Sequence, residues 1–387
     1  MNKILISQGG GPTAVINQTL VGLVETAQKQ GIKAIWGARH GIRGIVDEQF
    51  YDMTRLSGER QGAIGTQVGA FLGSTRDKPD EAYCQRIAAV CKKHGIDGIF
   101  YIGGNDSAHT VALLADYAEA EGHALRCFHV PKTIDNDLVG SDHTPGYPSA
   151  ARFVAYTFRG LDMDQRALPG VHVAVVMGRH AGFLTAAAAC GRFDNQDGPH
   201  IVCLPEEPFH KDRFLARVEG CYQHYGRCLI ACAEGITDNK GTPMAEALAG
   251  DTIEHDKHGN VQLSGSGALG DYMARTIKAS LSIQRVRADT LGYMQRSFPL
   301  CVAPLDAKEA RDVGAYAIQQ AFEHKQGSVA IKSGSVYALE ELAQVGGQTR
   351  TMGESDIKAG ALMPSDTFIA WARALIGGDM QPPLYPT

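Results

Sequence analysis

Several features that would indicate other classes of protein are missing from this chain. None of its apolar runs approaches membrane-spanning length, and Met1 leads directly into an apolar, strand-like segment with no room for a signal peptide. We therefore expect a cytoplasmic protein with no membrane partner. The net charge of −5 gives no reason to expect a nucleic-acid partner, so anionic ligands must be bound by local clusters of positive charge.

The cysteines show no pairing pattern. There are nine, an odd number, and most lie in apolar surroundings, which predicts buried thiols in a reducing compartment. Cys228 and Cys232 would share one face of a strand, but no second cysteine or histidine pair completes a zinc spacing. His255 and His258, in the polar, glycine-rich run 238–267, are expected to be solvated loop residues rather than metal ligands.

The segment from Pro131 to Asp137 is the most informative part of the sequence. It follows a short apolar, strand-like stretch, and open α/β sheets bind ligands beyond the carboxyl ends of their strands. Burying a lysine and two carboxylates is costly unless they are paired, so we expect a solvated cluster. It favours a polyanion site, with Lys132 for phosphate, Asp135 as a base, and Asp137 for metal or for orienting the base. By itself, the segment is equally compatible with a polar turn.

Two glycine-rich turns favour the polyanion hypothesis. A strand from Lys3 to Ser7 leads into glycines 9–11 and a helix, and a strand from Ile99 to Ile102 leads into Gly-Gly-Asn-Asp-Ser at 103–107 and another helix. Glycine lets the backbone approach a phosphate closely, and a helix N-terminus supplies unpaired N–H groups. Two such turns directed at one crevice would bind a chain of phosphates.

The order of the predicted elements defines the architecture. Strands and helices alternate nearly throughout, which predicts parallel sheets with helices on both faces. At 387 residues the chain exceeds one usual domain core, so we expect two domains. We predict a large domain from residues 1–144 and about 297–376, a second domain from about 145–296, and a surface tail at 377–387.

Taken in order, these motifs resemble the phosphofructokinase family, and within it the pyrophosphate-dependent branch. The matching segments are Gly10-Gly11, Gly-Ser-Thr-Arg at 73–76, 103–107, 131–137, Met-Gly-Arg at 177–179, Glu234-Gly235, and 287–296. Each glycine turn alone is common, whereas the ordered set is specific. The resemblance implies an α/β fold with two doubly wound parallel-sheet domains and the active site in the cleft between them. The large domain would bind the phosphoryl donor and the second domain the sugar phosphate.

The resemblance also implies an activity. The reaction would be a Mg²⁺-dependent, reversible transfer of a phosphoryl group from pyrophosphate to the 1-hydroxyl of fructose 6-phosphate, a glycolytic step that yields fructose 1,6-bisphosphate and phosphate. The enzyme would be a homodimer or homotetramer. An ATP-dependent 6-phosphofructokinase and a silent, sugar-phosphate-binding regulatory subunit stay open as alternatives, as does activity on longer sugars such as sedoheptulose 7-phosphate. A dinucleotide-binding dehydrogenase is disfavoured, because no Gly-x-Gly-x-x-Gly follows the first strand.

Individual residues receive roles from the same resemblance. The catalytic residues would be Asp135, Lys132, Asp106 and Arg179. The phosphoryl donor would be bound by Gly10, Gly11, Arg76, Gly104, Asp106 and Lys132. The sugar phosphate would be bound by Thr133, Ile134, Asp135, Met177, Gly178, Arg179, Glu234, Arg287, Tyr293 and Arg296. The metal would be held by Asn105 and Asp137.

Some positions differ between branches of the family. Asp106 and Lys132 stand where ATP users typically have glycine; the aspartate would clash with the α-phosphate of ATP and repel it, so both residues favour pyrophosphate. Asn105 replaces an aspartate that commonly serves magnesium, so the metal site would lose one charge. Gly170 stands where the ATP enzymes supply an arginine to a neighbouring subunit, so we do not transfer that role. The resemblance does put Arg287 on a neighbouring subunit's sugar-phosphate site.

Overall fold

The structure is a computed structural model that describes residues 1–244, 267–378 and 380–384. The predicted loop residues His255 and His258, and part of the predicted tail, lie outside the described residues. Within the described ranges, no helix is both long and apolar enough to cross a membrane.

The chain divides into two compact units. Unit 1 comprises Met1–Ala150 and Arg296–Arg350, and unit 2 comprises Ala151–Gln295 and Thr351–Thr387, within the described ranges. Both are built from segments that are distant in the sequence, so each unit depends on the chain returning to it.

Eleven strands are present in the described part of the chain. They are β1 (Lys3–Gln8), β2 (Ala34–Ala38), β3 (Phe50–Asp52), β4 (Gly98–Gly103), β5 (Arg126–Pro131), β6 (Val171–Val176), β7 (Ile201–Cys203), β8 (Cys228–Ala233), β9 (Val286–Thr290), β10 (Gln326–Lys332) and β11 (Val336–Glu340). The sequence patterns predict all of these except the inner strand β2 and the edge strands β3 and β11.

The α-helices are numbered in the same way. They are α1 (Ile16–Lys29), α2 (Ile42–Val46), α3 (Gly58–Thr66), α4 (Glu81–His94), α5 (Asn105–Ala120), α6 (Tyr147–Ala167), α7 (Phe183–Ala186), α8 (Lys211–Tyr225), α9 (Ala268–Leu281), α10 (Pro304–Glu323), α11 (Leu342–Val345) and α12 (Asp366–Ile376). The alanine-rich sequence of residues 181–190 predicts one helix. The structure instead has the single turn α7 followed by a 3₁₀ turn at Ala187–Gly191. Its alanines are fully buried, so tertiary packing overrides their helical propensity.

Unit 1 contains a seven-stranded sheet with the order β11-β10-β5-β4-β1-β2-β3. The five inner strands run parallel, and the edge strands β3 and β11 are antiparallel to their neighbours. Successive residues of β1 point to opposite faces: Ile4 and Ile6 join one buried cluster with α1 and α10, while Leu5 joins another with α4 and α5. Helices therefore cover both faces, as predicted for a doubly wound sheet.

Unit 2 contains a four-stranded, fully parallel sheet with the order β7-β8-β6-β9. Its core combines Val173, Ile230 and Val286 from the strands with Phe214 from α8 and Met273 from α9. The α/β class and the two parallel-sheet units predicted from the sequence are thus confirmed.

The segment after Thr351 groups with unit 2, whereas the sequence predicted residues 351–376 in the large domain. The difference follows from the packing of α12. Its Phe368 and Trp371 rings lie 6.3 and 6.4 Å from the Phe183 ring of unit 2. Nothing in the local sequence of α12 indicates which sheet its apolar face will cover.

Helices α1 and α10 pack closely enough to require glycine at their contact. A Cβ at Gly22 would collide with the carbonyl oxygen of Arg311, and a Cβ at Gly314 would collide with that of Thr19. This contact joins the two chain segments that build unit 1.

We therefore expect Gly22→Ala to destabilise the protein by about 1–3 kcal/mol, because the added methyl group overpacks a backbone contact. Gly62→Ala is the matched control, since a Cβ in that helix meets nothing within 4 Å and alanine is the better helix former. Urea denaturation of both variants measures the effect. Equal stability of the two variants would contradict the close-packing account.

Candidate functional site

Lys132 lies just beyond the carboxyl end of β5 and is almost fully buried, with 3% of its surface exposed. Its Nζ donates a hydrogen bond of 2.8 Å to the carbonyl oxygen of Gly11. Burial and the nearby Arg296 guanidinium lower the pKa of Lys132 to about 8, although the carboxylates of Asp135 and Asp137 act in the opposite direction. The sequence predicted a solvated cluster, and for Lys132 this was wrong, because the glycine turn after β1 covers the ammonium group.

Glycine lets that turn approach two cations closely. Gly10 has a φ of +72°, and a Cβ there would lie 3.1 Å from Lys132 Nζ. A Cβ at Gly11 would lie 3.2 Å from the Arg296 guanidinium carbon. Ser74 stabilises the turn by donating its hydroxyl to the Gly10 carbonyl at 2.6 Å. The backbone and the positive charge are therefore kept close together, as a phosphate site requires.

The second glycine turn lies on the neighbouring strand. The backbone N–H of Lys132 donates to the Gly103 carbonyl, and Gly104 is the N-cap residue of the sixteen-residue α5. Asp106 in the first turn of α5 is 72% exposed and lies 3.6 Å from Lys78 Nζ. Arg76 is exposed and contributes to the low pKa of Lys132.

A hydrogen-bonded acidic cluster follows Lys132. Asp137 accepts hydrogen bonds from the Asn105 amide at 2.8 Å and from the Thr133 hydroxyl at 3.1 Å. The same Thr133 hydroxyl accepts the backbone N–H of Asp135 at 3.1 Å. Ile134 between them is buried, and the carboxylates of Asp135 and Asp137 are half-buried. The segment thus orients both acids.

The oxygen atoms of this cluster fit a hard divalent cation. Asn105 Oδ1 is buried and accepts no hydrogen bond from the described residues, and it belongs to the amide that contacts the Asp137 carboxylate. An amide oxygen and a carboxylate are ligands that Mg²⁺ accepts, whereas softer metals prefer nitrogen or sulfur.

Asp306, on α10, anchors the segment that follows the acidic cluster, and the sequence analysis missed it. Its fully buried carboxylate accepts the backbone N–H groups of Gly146 and Ser149 at 2.8 and 3.0 Å, and also the Ser149 hydroxyl. Burial raises its pKa to about 6, against the effect of these hydrogen bonds. An acid two residues after Pro304 resembles an ordinary first-turn helix residue, so no local signal identified the anchor.

His143 provides a second link between the same segment and α10. Its Nδ1 lies 2.9 Å from Asp142 Oδ2, and its Nε2 lies 2.6 Å from Glu309 Oε2. Burial disfavours the charged imidazolium, but the hydrogen bonds to the two carboxylates outweigh it and raise the pKa of His143 to about 9. The charged His143 therefore links Asp142 to the buried Glu309 of α10.

In unit 2, the predicted residues gather at the carboxyl ends of β6 and β8. Met177, Gly178 and Arg179 follow β6, and Glu234 follows β8 and donates its backbone N–H to the Val176 carbonyl at 2.9 Å. A Cβ at Gly235 would collide with the Arg179 carbonyl, so the two strand ends are in close contact. Arg179 is half-buried, and Glu234 is 8% exposed.

Unit 2 does not bring together the two arginines that were predicted within it, Arg179 and Arg287. Arg287 is exposed on the edge strand β9, in register with His172 near the start of β6, whereas Arg179 follows the end of β6. The four residue steps from His172 to Val176 span about 13 Å of strand, so Arg287 and Arg179 lie at opposite ends of the sheet. Arg296 belongs to unit 1, beside Gly11, and Tyr293 lies exposed in a 3₁₀ turn at Gly292–Arg296.

Comparison with known proteins agrees with this architecture. The family model described as "Phosphofructokinase" matches residues 3–321, so the chain belongs to the phosphofructokinase family. A pyrophosphate–fructose 6-phosphate 1-phosphotransferase of Rhodospirillum rubrum is 49% identical over 384 residues, covering 98% of this chain and 95% of that protein.

Two solved structures, each described as a pyrophosphate-dependent phosphofructokinase, are similar throughout. The Nitrosospira multiformis protein has a TM-score of 0.86 at 28% identity and covers 99% of this chain and 94% of its own. The Marinobacter aquaeolei protein has a TM-score of 0.84 at 28% identity and covers 100% of this chain and 94% of its own.

The pKa of His143 predicts how stability depends on pH. Its folded-state value of about 9 exceeds the ordinary 6.5, so its charged form stabilises the fold fully below pH 6.5, and the contribution is lost as the pH rises through about 9. We expect the stability advantage of wild type over His143→Gln to decline by roughly 3 kcal/mol between pH 6.5 and 9.5. Urea denaturation at several pH values measures it; a constant difference would contradict the charged assignment.

Proposed function

We propose that this protein is a pyrophosphate-dependent phosphofructokinase, which transfers a phosphoryl group from pyrophosphate to the 1-hydroxyl of fructose 6-phosphate. The observation that carries the proposal is the combination of Asp106 in the first turn of α5 with the buried Lys132 beneath the glycine turn. The high identity to the Rhodospirillum rubrum enzyme, and the names of the two similar structures, support the same donor.

The donor would bind along the two glycine turns of unit 1. The backbone at Gly10, Gly11 and Gly104 allows a phosphate to approach closely, and Lys132 supplies a cation. The lowered pKa of Lys132, about 8, indicates that the surrounding negative charge does not fully offset its burial. A diphosphate beside Lys132 would raise the pKa of the ammonium group and would be stabilised by its charge in return. Arg296 lies beside Gly11, so we extend its expected role in binding the sugar phosphate to include the donor phosphates.

Asp135 is the proposed general base, which accepts the proton of the sugar's 1-hydroxyl while Lys132 offsets charge on the transferring group and on the leaving phosphate. Thr133 orients Asp135 through the backbone hydrogen bond and Asp137 through its hydroxyl. Asn105 and Asp137 would hold Mg²⁺, which supplies a Lewis acid that neutralises phosphate charge.

The residues that the family resemblance assigns to the sugar phosphate include members of each unit. In unit 2, the Arg179 guanidinium can donate paired hydrogen bonds to a phosphate, and the Glu234 carboxylate can accept sugar hydroxyls. Met177, Gly178 and Tyr293 line the same strand ends or the adjoining turn. In unit 1, Thr133 and Ile134 precede the base directly and would contact the acceptor.

ATP as the donor is the alternative. Two like charges 4 Å apart repel by about 4 kcal/mol at an effective dielectric of about 20. Because Asp106 is exposed and paired with Lys78, solvent and the ion pair reduce that repulsion, so steric exclusion must carry more of the selectivity. The deciding assay compares turnover of fructose 6-phosphate with pyrophosphate and with ATP, each with Mg²⁺. Preference for ATP would refute the proposal, and absence of both activities would favour a silent regulatory subunit.

Asp106→Gly should allow detectable ATP-dependent turnover, because it removes both the bulk and the charge near the position of the α-phosphate. Asp106→Asn is the matched control: it keeps the bulk and removes only the charge, so it should gain much less ATP activity. Steady-state kinetics with both donors measures the change. An Asp106→Gly enzyme that is active with pyrophosphate yet inert with ATP would assign donor choice to other residues.

Asp135→Asn should lower kcat with pyrophosphate by at least about 100-fold, with a smaller change in KM, because the acceptor hydroxyl loses its base. Asp116→Asn removes an exposed acid from α5 and should leave both constants unchanged. Near-normal turnover of the Asp135 variant would eliminate Asp135 as the base.

We propose that the active species is at least a homodimer in which Arg287 serves the site of a neighbouring subunit. Its exposure on the edge strand β9, at the opposite end of β6 from Arg179, supports a role outside its own chain's site. The family resemblance implies a homodimer or a homotetramer, and in either assembly Arg287 could serve the site of a neighbouring subunit.

Mixing two inactive variants tests this sharing. Asp135→Asn and Arg287→Ala subunits, dissociated and reassembled together, should recover about a quarter of wild-type activity, because one site in each mixed dimer then lacks both lesions. Each variant reassembled alone is the control. Activity no higher than the controls, despite mixed dimers seen by native mass spectrometry, would refute a shared Arg287.

We also propose a cytoplasmic location, with neither membrane nor nucleic acid as a partner. The nine cysteines form no disulfide with one another, which suits a reducing compartment. The net charge of −5 offers no general attraction to nucleic acid.

A further inference from the structure

A cluster of three reactive side chains lies in unit 2, at the opposite end of β8 from Glu234. One donor atom each from His200, Cys221 and Cys228 lies within 4.8 Å of the other two. The sequence analysis found no completed zinc spacing, and the cluster forms only because α8 and the start of β8 come together near the segment that precedes β7. The question is whether the fold has assembled a metal site or a pair of thiols.

The hydrogen bonds of His200 argue against a metal. Its Nδ1 accepts the backbone N–H of Leu229 at 3.0 Å, and its Nε2 lies 3.3 Å from the Gln196 carbonyl oxygen. Burial and the Arg227 guanidinium lower the pKa of His200 to about 4, so the ring is neutral, with Nε2–H as the donor and Nδ1 as the acceptor. A metal ion on either nitrogen would break one of these bonds, and it would lie close to the buried Arg227.

The two thiols differ in exposure and in environment. Cys221 is half-buried and lines an open cavity of 910 Å³, whose other lining residues include Arg192, Arg217 and Arg373. Cys228 is fully buried. A hydrogen bond from Cys228 lowers the pKa of Cys221, as do the nearby arginine side chains, whereas burial raises that of Cys228. The accessible sulfur is therefore the better nucleophile, and the buried thiol lies directly behind it.

We propose that Cys221 is a thiol modification site, at which a hydroperoxide oxidises the half-buried sulfur that lines the cavity and Cys228 then closes a disulfide with it. In the first step the Cys221 thiolate attacks the O–O bond, an S–O bond forms, and the hydroperoxide leaves as an alcohol or water. In the second step the Cys228 sulfur displaces the hydroxyl from the sulfenic acid, which leaves as water with the Cys228 proton. Overall, two thiols and one ROOH give one disulfide, ROH and water.

The chain contains a matched control pair of thiols. Cys203 and Cys232 lie opposite each other in the register of β7 and β8, and hydrogen bonding between them raises the pKa of Cys232. Both are buried, with 3% and 0% of their surface exposed. Proximity alone would make both pairs react, whereas exposure and the arginine environment select Cys221.

The first experiment uses the wild-type chain in its native state. Timed alkylation with iodoacetamide at pH 7.4, followed by peptide mass mapping, should modify Cys221 at least about tenfold faster than any other cysteine. Under brief treatment with hydrogen peroxide, the mapped product should be a Cys221–Cys228 disulfide, with Cys203 and Cys232 still reduced. Slow alkylation of Cys221, or an equal yield of the Cys203–Cys232 disulfide, would overturn the proposal.

Two conservative variants then separate the steps. Cys228→Ser should accumulate a sulfenic acid at Cys221 that dimedone traps, and Cys221→Ser should leave Cys228 reduced; circular dichroism checks that both are folded. Elemental analysis of the wild type supplies the remaining outcome. One zinc per chain that is lost in both variants would identify a metal site and overturn the proposal.

Discussion

The hydrogen bond between Lys132 and the Gly11 carbonyl is the contact on which the candidate site depends. It holds a lysine with 3% exposure beneath a turn that favours glycine, since Gly10 has a positive φ and a side chain there would crowd the ammonium group. Removing an ammonium ion from water costs several kcal/mol even after relaxation, and one carbonyl oxygen does not offset this. The low pKa of Lys132 expresses that imbalance. A polyanion would relieve it, so the same feature that weakens the empty fold can strengthen ligand binding.

The residues that hold this site in position come from a distant part of the chain. Asp306 and Glu309 on α10 bind the segment that contains His143, Gly146 and Ser149, which directly follows the acidic cluster. Helix α10 in turn packs on α1 through a contact that requires glycine. The position of the proposed base is therefore tied to the core of unit 1, which gives the preorganisation that electrostatic catalysis of phosphoryl transfer needs.

The sequence predicted those features that depend on local patterns of residues. Apolar strands that end in glycine or in charged residues located β1, β4 and β5. The ordered motifs assigned roles to Lys132, Asp135 and Asp106, and those roles stay predictions. The burial of Lys132 was not predictable, because it depends on a turn more than a hundred residues away in the sequence. Asp306 and His143 were missed for the same reason: a buried acid or histidine has no local signature, and only the tertiary fold supplies its partners. The assignment of α12 to unit 2 depends on aromatic packing against Phe183, which is likewise non-local.

The central claim is that the buried ammonium group of Lys132 is completed by the phosphoryl donor. The most direct measurement is the pKa of Lys132 by NMR of its labelled side chain, assigned with Lys132→Arg, in the free protein and in the presence of saturating pyrophosphate. The account predicts a free value of about 8 and a rise of at least about one unit when pyrophosphate binds. An ordinary lysine value in the free protein, or a value that pyrophosphate does not change, would contradict it.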